Sequence, residues 1–281
     1  MDVFDLPTVA ALVSAALAED LGAGDLTSRL TIPAARQATA EISAQASAVI
    51  AGMPLIGRIC AAAGGGITVS ERVADGAVVQ PGDLLASLAG PAQTLLAIER
   101  VALNFLQQLS GISTLTAQFV AAVRVHHCRI VDTRKTIPGL RVLQKYAVRV
   151  GGGFNHRQRL DDGILIKNNH ITAAGGIAPA VAAARAAAPH GVKIEVECTT
   201  FDEVAAALAA RAEILLLDNM TVEQMAEAVR RVAGRAILEA SGGVTLATAA
   251  AIAATGVDII SVGALTHSAP AVDLHMTLRL A

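Results

Sequence analysis

Between Ile194 and Gly263 the chain reads Ile194-Glu195-Val196-Glu197, Ile214-Leu215-Leu216-Leu217-Asp218, Ile237-Leu238-Glu239-Ala240-Ser241 and Ile259-Ile260-Ser261-Val262-Gly263, with alanine-rich stretches between. These four runs begin 20 to 23 residues apart. That spacing is too long for hairpins and accommodates a helical crossover, which parallel neighbours require. Runs apolar on both faces predict a parallel sheet covered by helices. Upstream, Ile164-Leu165-Ile166 and Ile130-Val131 bring the series to six. Every run ends in a polar residue or glycine: Asp132, Lys167, Glu197, Asp218, Glu239 to Ser241, and Gly263. The carboxyl ends of the strands are where α/β barrels carry their sites. Six strands do not fill an eight-stranded barrel, so the expected fold is α/β, with an incomplete, open barrel of about six parallel strands.

The N-terminal part mixes short elements. Pro7 or Thr8 starts a helix through Val9, Leu12, Val13, Ala16 and Leu17, ended by Gly22 and Gly24. Residues 41–52 and 66–89 read as strands with tight turns at Asp75-Gly76 and Pro81-Gly82-Asp83. Val78-Val79 and Leu84-Leu85 around the second turn look like half of a barrel-sandwich hairpin, a scaffold without a prosthetic-group lysine. Apolar residues from Leu95 to Leu115 recur at spacings of 3 and 4, predicting one long or broken helix over 91–124, bent near Gly111. Val272, Leu274, Met276, Leu278 and Leu280 alternate with polar residues, a strand that can return to the N-terminal sheet. The expected domains are an N-terminal α/β sandwich over 1–110, with 271–281 a candidate added strand, and a barrel over 111–270.

Mean hydropathy is +0.54, which raises the question of a membrane. The longest charge-free stretch, Val101 to Val123, contains Asn104, Gln107, Gln108, Ser110, Thr114 and Gln118, and fails as a spanning helix. No basic segment followed by an apolar one opens the sequence, so the expected location is the cytoplasm. Three cysteines, odd in number and far apart, fit a reducing compartment rather than a disulfide framework. His126-His127-Cys128 reads as a loop before a strand rather than a metal site.

Between Arg129 and His170 nine Lys/Arg meet three acids, whereas the other residues hold 13 bases against 21 acids. A cationic pocket in a mildly acidic protein suits a small anionic ligand. Nucleic acid would need a broad basic face, usually with stacking aromatics, and this chain has five Phe, one Tyr and no Trp. Arg134, Lys135 and Lys167 stand at strand ends, with His156 and Arg157 on the glycine-rich loop after Gly151-Gly152-Gly153. Such a set holds two or more carboxylates or phosphates. Glu197 and Asp218 end consecutive strands and suit Mg²⁺ with phosphate oxygens, or a ribose diol. Ser241-Gly242-Gly243 and Val262-Gly263-Ala264 can offer backbone N–H groups to a phosphate.

Asp132-Thr133-Arg134-Lys135-Thr136-Ile137-Pro138-Gly139-Leu140-Arg141, Lys145-Tyr146-Ala147-Val148, Gly151-Gly152-Gly153-Phe154-Asn155-His156-Arg157 and Ile166-Lys167-Asn168-Asn169-His170 resemble the quinolinate phosphoribosyltransferase family. The likeness extends to residues 19–28 and 99–104, and through Glu195-Val196-Glu197, Leu217-Asp218-Asn219-Met220, Glu239-Ala240-Ser241-Gly242-Gly243 and Val262-Gly263-Ala264. It covers nearly the whole chain. The resemblance implies phosphoribosyl transfer from phosphoribosyl pyrophosphate to quinolinate with decarboxylation, in pyridine nucleotide and NAD biosynthesis. It further implies that Thr133, Arg134, His156, Arg157 and Lys167 bind quinolinate. Arg100 would be donated across a homodimer. Lys135, Glu197 and Asp218 would be catalytic and meet phosphoribosyl pyrophosphate, the two acids with its Mg²⁺. Ser241, Gly242, Gly243, Val262, Gly263 and Ala264 would take the 5′-phosphate. One departure is Asn168, where the family often has an acid.

Two other readings use the same residues. Lys167 at a barrel strand end could be the Schiff-base nucleophile of an aldolase-type lyase. Paralogues associated with molybdenum transport form the other, though these would be expected to lose part of the cation set that Arg134, Lys135, Arg157 and Lys167 retain here.

Overall fold

The computed structural model describes residues 2–280. They fall into two compact units, one made of the chain up to Ala117, Thr136–Gly152 and the chain from Leu265 onward, the other of Gln118–Lys135 and Gly153–Ala264.

In the first unit, α1 (Pro7–Leu21) starts with proline in its first turn, where no N–H is needed, and stops at Gly22 with φ +48°. A four-stranded antiparallel sheet follows the order β12 (Leu274–Leu280), β1 (Gln37–Ala44), β5 (Leu84–Pro91), β3 (Thr68–Glu71). Alternation sets its buried face: Ala38, Ala40, Ile42 and Ala44 are buried, as are Leu274 and Met276. The C-terminal strand therefore does return to this sheet. The supposed hairpin does not form. Val78–Val79 is β4 and pairs with β2 (Ala48–Val49), whereas β5 pairs with β1 and β3. The Pro81-Gly82-Asp83 turn passes the chain between two sheets, held by Gly82 N–H on the Ala44 carbonyl at 2.8 Å.

The long helix also differs from expectation. It is continuous, α4 (Ala92–Val123). Gly111 serves close approach, since a Cβ there would lie 2.0 Å from the Pro270 carbonyl oxygen. Besides the short α2 (Leu26–Thr31), two further helices belong to this unit: α3 (Pro54–Ala62), and α5 (Arg141–Val150), which has buried Leu143, Gln144, Lys145, Ala147 and Val148. Asp75 ties both, accepting from the Gly52 and Met53 N–H groups at 2.9 Å each and from Tyr146 Oη at 2.6 Å.

The second unit holds β6 (Arg129–Val131), β7 (Ile164–Ile166), β8 (Ile194–Cys198), β9 (Ile214–Asp218), β10 (Ile237–Ser241) and β11 (Ile259–Ser261), all paired in parallel in the order β6-β11-β10-β9-β8-β7. The edges β6 and β7 do not pair with one another, so the barrel is open. Helices α6 (Asn168–Ala174), α7 (Ile177–Ala187), α8 (Phe201–Ala209), α9 (Val222–Val232) and α10 (Leu246–Ala253) fill the crossovers. Reciprocal caps start α8 and α9, Thr200 with Glu203 and Thr221 with Gln224, and Thr245 pairs with Thr248 at the start of α10. A short turn of helix, α11 (Ala264–His267), follows β11.

Candidate active site

The β6 end is built around Asp132, which is fully buried. Its Oδ1 accepts the His156 N–H at 2.9 Å and its Oδ2 accepts from Asn155 Nδ2 at 2.6 Å. Phe154 bonds the β6 backbone on both sides, donating to the Ile130 carbonyl at 2.9 Å and accepting the Asp132 N–H at 3.1 Å. The Arg129 guanidinium caps its ring at 5.0 Å. The loop from Gly153 to Arg157 is thereby strapped to the first strand, and His156 and Arg157 have fixed backbones.

Arg157 donates from Nη1 to the Gly163 carbonyl at 2.9 Å. Burial lowers its pKa, and the positive charge of Arg134 lowers it further. Guanidiniums such as these hold carboxylates and phosphates in bidentate pairs. Thr133 Oγ1 accepts the Lys135 N–H at 3.0 Å and shapes the turn that exposes Lys135.

Across the sheet, Lys167 follows β7 and its Nζ bonds Glu197 Oε2 on β8. Asp218 ends β9 in register with Ser241 of β10. Its Oδ2 accepts from Asn219 Nδ2 at 2.8 Å. Asn219, at φ +56°, donates its N–H to the Ser241 carbonyl at 2.9 Å, knitting the two loops together. Gly242 is required beside it: φ is +93° and a Cβ would lie 2.3 Å from Asn219 Oδ1. Val262, buried, donates its N–H to the Val131 carbonyl at 2.9 Å and so places Gly263 and Ala264 at the mouth of β11.

Thr133, Arg134, Lys135, Lys167, Glu197, Asp218 and the loops at 241–243 and 262–264 thus stand at the carboxyl ends of the strands, whereas His156 and Arg157, on the loop before β7, line a cavity with Ile164, Ile214 and Ile259 from the strand starts. Not every base of the Arg129–His170 window joins them. Arg141, Lys145 and Arg149 lie on α5 in the first unit, with Lys145 fully buried there. Arg100 is exposed on α4.

A buried acid pair was not singled out from sequence. Glu195 and Glu239 are 4% and 2% exposed, and His156 Nε2 stands 3.2 Å from Glu195 Oε2 and 3.6 Å from Glu239 Oε2. Burial pushes the Glu239 carboxyl up to about 7, Glu195 adding to the rise and His156 opposing it. Both glutamates line a cavity of about 550 Å³ together with Ile164, Ile214, Ile259 and Lys193. The available signal was periodicity: Glu195 precedes Glu197 by two and Glu239 precedes Ser241 by two, the repeat of one strand face.

An open α/β barrel whose first two strand ends carry cations and whose next two carry carboxylates is a barrel protein equipped for a small polyanionic ligand. The chain belongs to the quinolinate phosphoribosyl transferase family, whose N-terminal domain matches residues 25–110 and whose C-terminal domain matches residues 112–277. It is 46% identical over 269 residues to a nicotinate-nucleotide pyrophosphorylase (carboxylating) of Mycobacterium leprae, covering 94% of each chain. It is 43% identical over 262 residues to a probable nicotinate-nucleotide pyrophosphorylase (carboxylating) of Bacillus subtilis, covering 93% of this chain and 90% of the relative. Among solved structures, NadC of Streptococcus pyogenes superposes with a TM-score of 0.93 at 39% identity, covering 99% of both chains. No helix among the described residues is long and apolar enough to cross a membrane.

Proposed function

We propose that the chain transfers the phosphoribosyl group of phosphoribosyl pyrophosphate to quinolinate and releases CO₂, giving nicotinate mononucleotide and pyrophosphate. One observation carries this reading: Arg134 and Lys135 after β6 and Lys167 after β7 share the carboxyl ends of the strands with Glu197 and Asp218, Lys167 bonding Glu197 directly. The cations match a pyridine dicarboxylate, and Arg100, from the partner of a homodimer, completes the set. Carboxylates on adjacent strands fit a Mg²⁺ that keeps waters and phosphate oxygens among its ligands. Glu197 and Asp218 would hold it, and when bound it supplies charge neutralisation on the diphosphate.

The chain's own groups then act by position and charge. Lys135, exposed on its turn, faces the diphosphate and stabilises it as it departs from ribose C1. Glu197 and Asp218 balance the positive charge that grows on the ribose. The loops at Ser241 to Gly243 and Val262 to Ala264 hold the 5′-phosphate through backbone N–H groups. Arg134, Arg157 and Lys167 align the pyridine nitrogen with C1. After that bond forms, the adjacent pyridinium charge stabilises the electron pair left on C2 as CO₂ leaves, and a proton then adds to that carbon. The Lys167 ammonium is engaged by Glu197, which supports an anion-binding role over that of a free amine nucleophile. Three free cysteines support a reducing, cytoplasmic setting.

Incubation with quinolinate, phosphoribosyl pyrophosphate and Mg²⁺ tests the reading. Nicotinate mononucleotide is expected from quinolinate and not from nicotinate. Equal product from nicotinate, or a borohydride-trapped adduct at Lys167 with a carbonyl substrate, would overturn it. Mixed Arg100→Ala and Arg134→Ala subunits should recover part of the activity that each homodimer lacks.

A further inference from the structure

Among the described residues, Arg211, Asn219 and Ala233 have positive φ without being glycine. Ala233 caps the end of α9 and Arg211 lies just past α8, where helices commonly finish in a left-handed residue. Asn219, at φ +56°, instead follows the carboxyl end of β9. A side chain in that region carries a cost that asparagine bears better than most. Residues held there against that cost gather at functional sites.

Three contacts hold Asn219 in place. Its N–H donates to the Ser241 carbonyl at 2.9 Å, its Nδ2 donates to Asp218 Oδ2 at 2.8 Å, and its Oδ1 turns toward Gly242. An ionised carboxylate only accepts, so the amide must face Asp218 with its NH₂ group, which fixes the orientation of the side chain. The amide also fills the space that a side chain at 242 would need, since a Cβ there would lie 2.3 Å from Oδ1 and 2.7 Å from Cγ. Register sets Asp218 beside Ser241, but register fixes only the backbone. The carboxylate can still turn about its own side-chain bonds unless a donor holds one oxygen. Asn219 is such a donor, and a bond at Oδ2 leaves Oδ1 to a ligand.

We propose that Asn219 is a positioning residue whose amide clamps the Asp218 carboxylate to the loop at 241–243, and so fixes the span between the ribose hydroxyls and the 5′-phosphate. This rests on the reading that Asp218 and that loop take phosphoribosyl pyrophosphate. The amide meets protein on both sides, so it acts through Asp218 and the loop rather than on the ligand. Arg134 and Lys167, the cations for quinolinate, follow β6 and β7. Quinolinate therefore does not sense the loss of the amide.

Calorimetric affinities of Asn219 variants decide the matter, measured for phosphoribosyl pyrophosphate with Mg²⁺ and separately for quinolinate. Asn219→Gly removes the amide yet suits φ +56°, so the backbone bond to Ser241 and the Tm should persist. Affinity for phosphoribosyl pyrophosphate should fall about tenfold, the scale of one hydrogen bond to a charged group. Affinity for quinolinate should stay within about twofold of the wild type. Asn219→Asp, which keeps the size but replaces the donor with a second carboxylate beside Asp218, should lose at least as much. In an Asp218→Ala background Asn219→Gly should add less than about threefold, because a group acting through another adds little once that other is gone. Unchanged affinity for phosphoribosyl pyrophosphate in Asn219→Gly would overturn the proposal. So would an equal loss for quinolinate, the sign of a generally loosened site. A tenfold loss that persists in the Asp218→Ala background would put the amide on the ligand itself and overturn it too. A wild type that does not bind phosphoribosyl pyrophosphate counts against the proposed function, whereas equal binding by wild type and Asn219→Gly counts against the positioning role alone.

Discussion

Lys167 Nζ, after β7, donates to Glu197 Oε2 on the neighbouring strand β8. The lysine proposed for the pyridine carboxylates is thus held by the carboxylate proposed for the ribose and metal. The lysine side chain is 44% exposed and the glutamate 11%, so a ligand reaches the pair from the side of the lysine. Glu197→Gln should bind quinolinate about two- to fivefold more tightly by calorimetry, because the ammonium is released. Its kcat should nevertheless fall by about 100-fold or more, because charge aimed at the transition state is gone. Weaker quinolinate binding would count against this division of labour.

Gly111 and Pro270 test the packing of the first unit. A methyl group at 111 would lie 2.0 Å from a backbone carbonyl oxygen, which cannot rotate aside as a side chain can. Gly111→Ala should cost about 3 kcal/mol, the upper range for overpacking, and lower the Tm by roughly 6–12 °C.

Gly242 differs, because its added Cβ would meet the Asn219 side chain at 2.3 Å while its φ of +93° strains any other residue. The disturbance falls on the loop assigned to the 5′-phosphate. Gly242→Ala should raise the KM for phosphoribosyl pyrophosphate by about tenfold, as expected for lost alignment, while the quinolinate KM changes little.

Glu239 links stability to pH. Its folded-state pKa is pushed up to about 7 by burial and by Glu195, from an ordinary 4.5. A carboxyl raised on folding contributes stability that is complete at acid pH and is lost as pH rises through the folded value. Glu239→Gln stays neutral throughout. Melting temperatures should therefore shift in favour of the variant between pH 5 and about 8, the gap widening with pH. A gap that narrows would contradict the burial-driven rise.

Much of the barrel was legible because its signal is local. Runs such as Ile214-Leu215-Leu216-Leu217-Asp218 carry their own strand register and put their last residue at the site. The return of β12 to the N-terminal sheet was readable from alternation, α4 from apolar spacings of 3 and 4, and α1 from its start and stop residues. What sequence could not supply was distance between remote segments. Gly111 looked like a bend because the carbonyl of Pro270 lies over 150 positions away and leaves no trace in helical periodicity. Val78-Val79 and Leu84-Leu85 looked like partners because turns suggest hairpins, while their actual partners are β2 and β1. The cation window over-counted, since α5 carries Arg141, Lys145 and Arg149 into the first unit. Glu195 and Glu239 stood beside the predicted residues, but only tertiary structure brings His156 between them.

Release of CO₂ from carboxyl-labelled quinolinate, followed together with nicotinate mononucleotide, tests the central claim most directly. One CO₂ per nucleotide is expected, strictly dependent on phosphoribosyl pyrophosphate and lost in Arg134→Ala and Lys167→Ala variants that keep the wild-type Tm. CO₂ release without phosphoribosyl pyrophosphate, or nucleotide that retains both carboxylates, would contradict it.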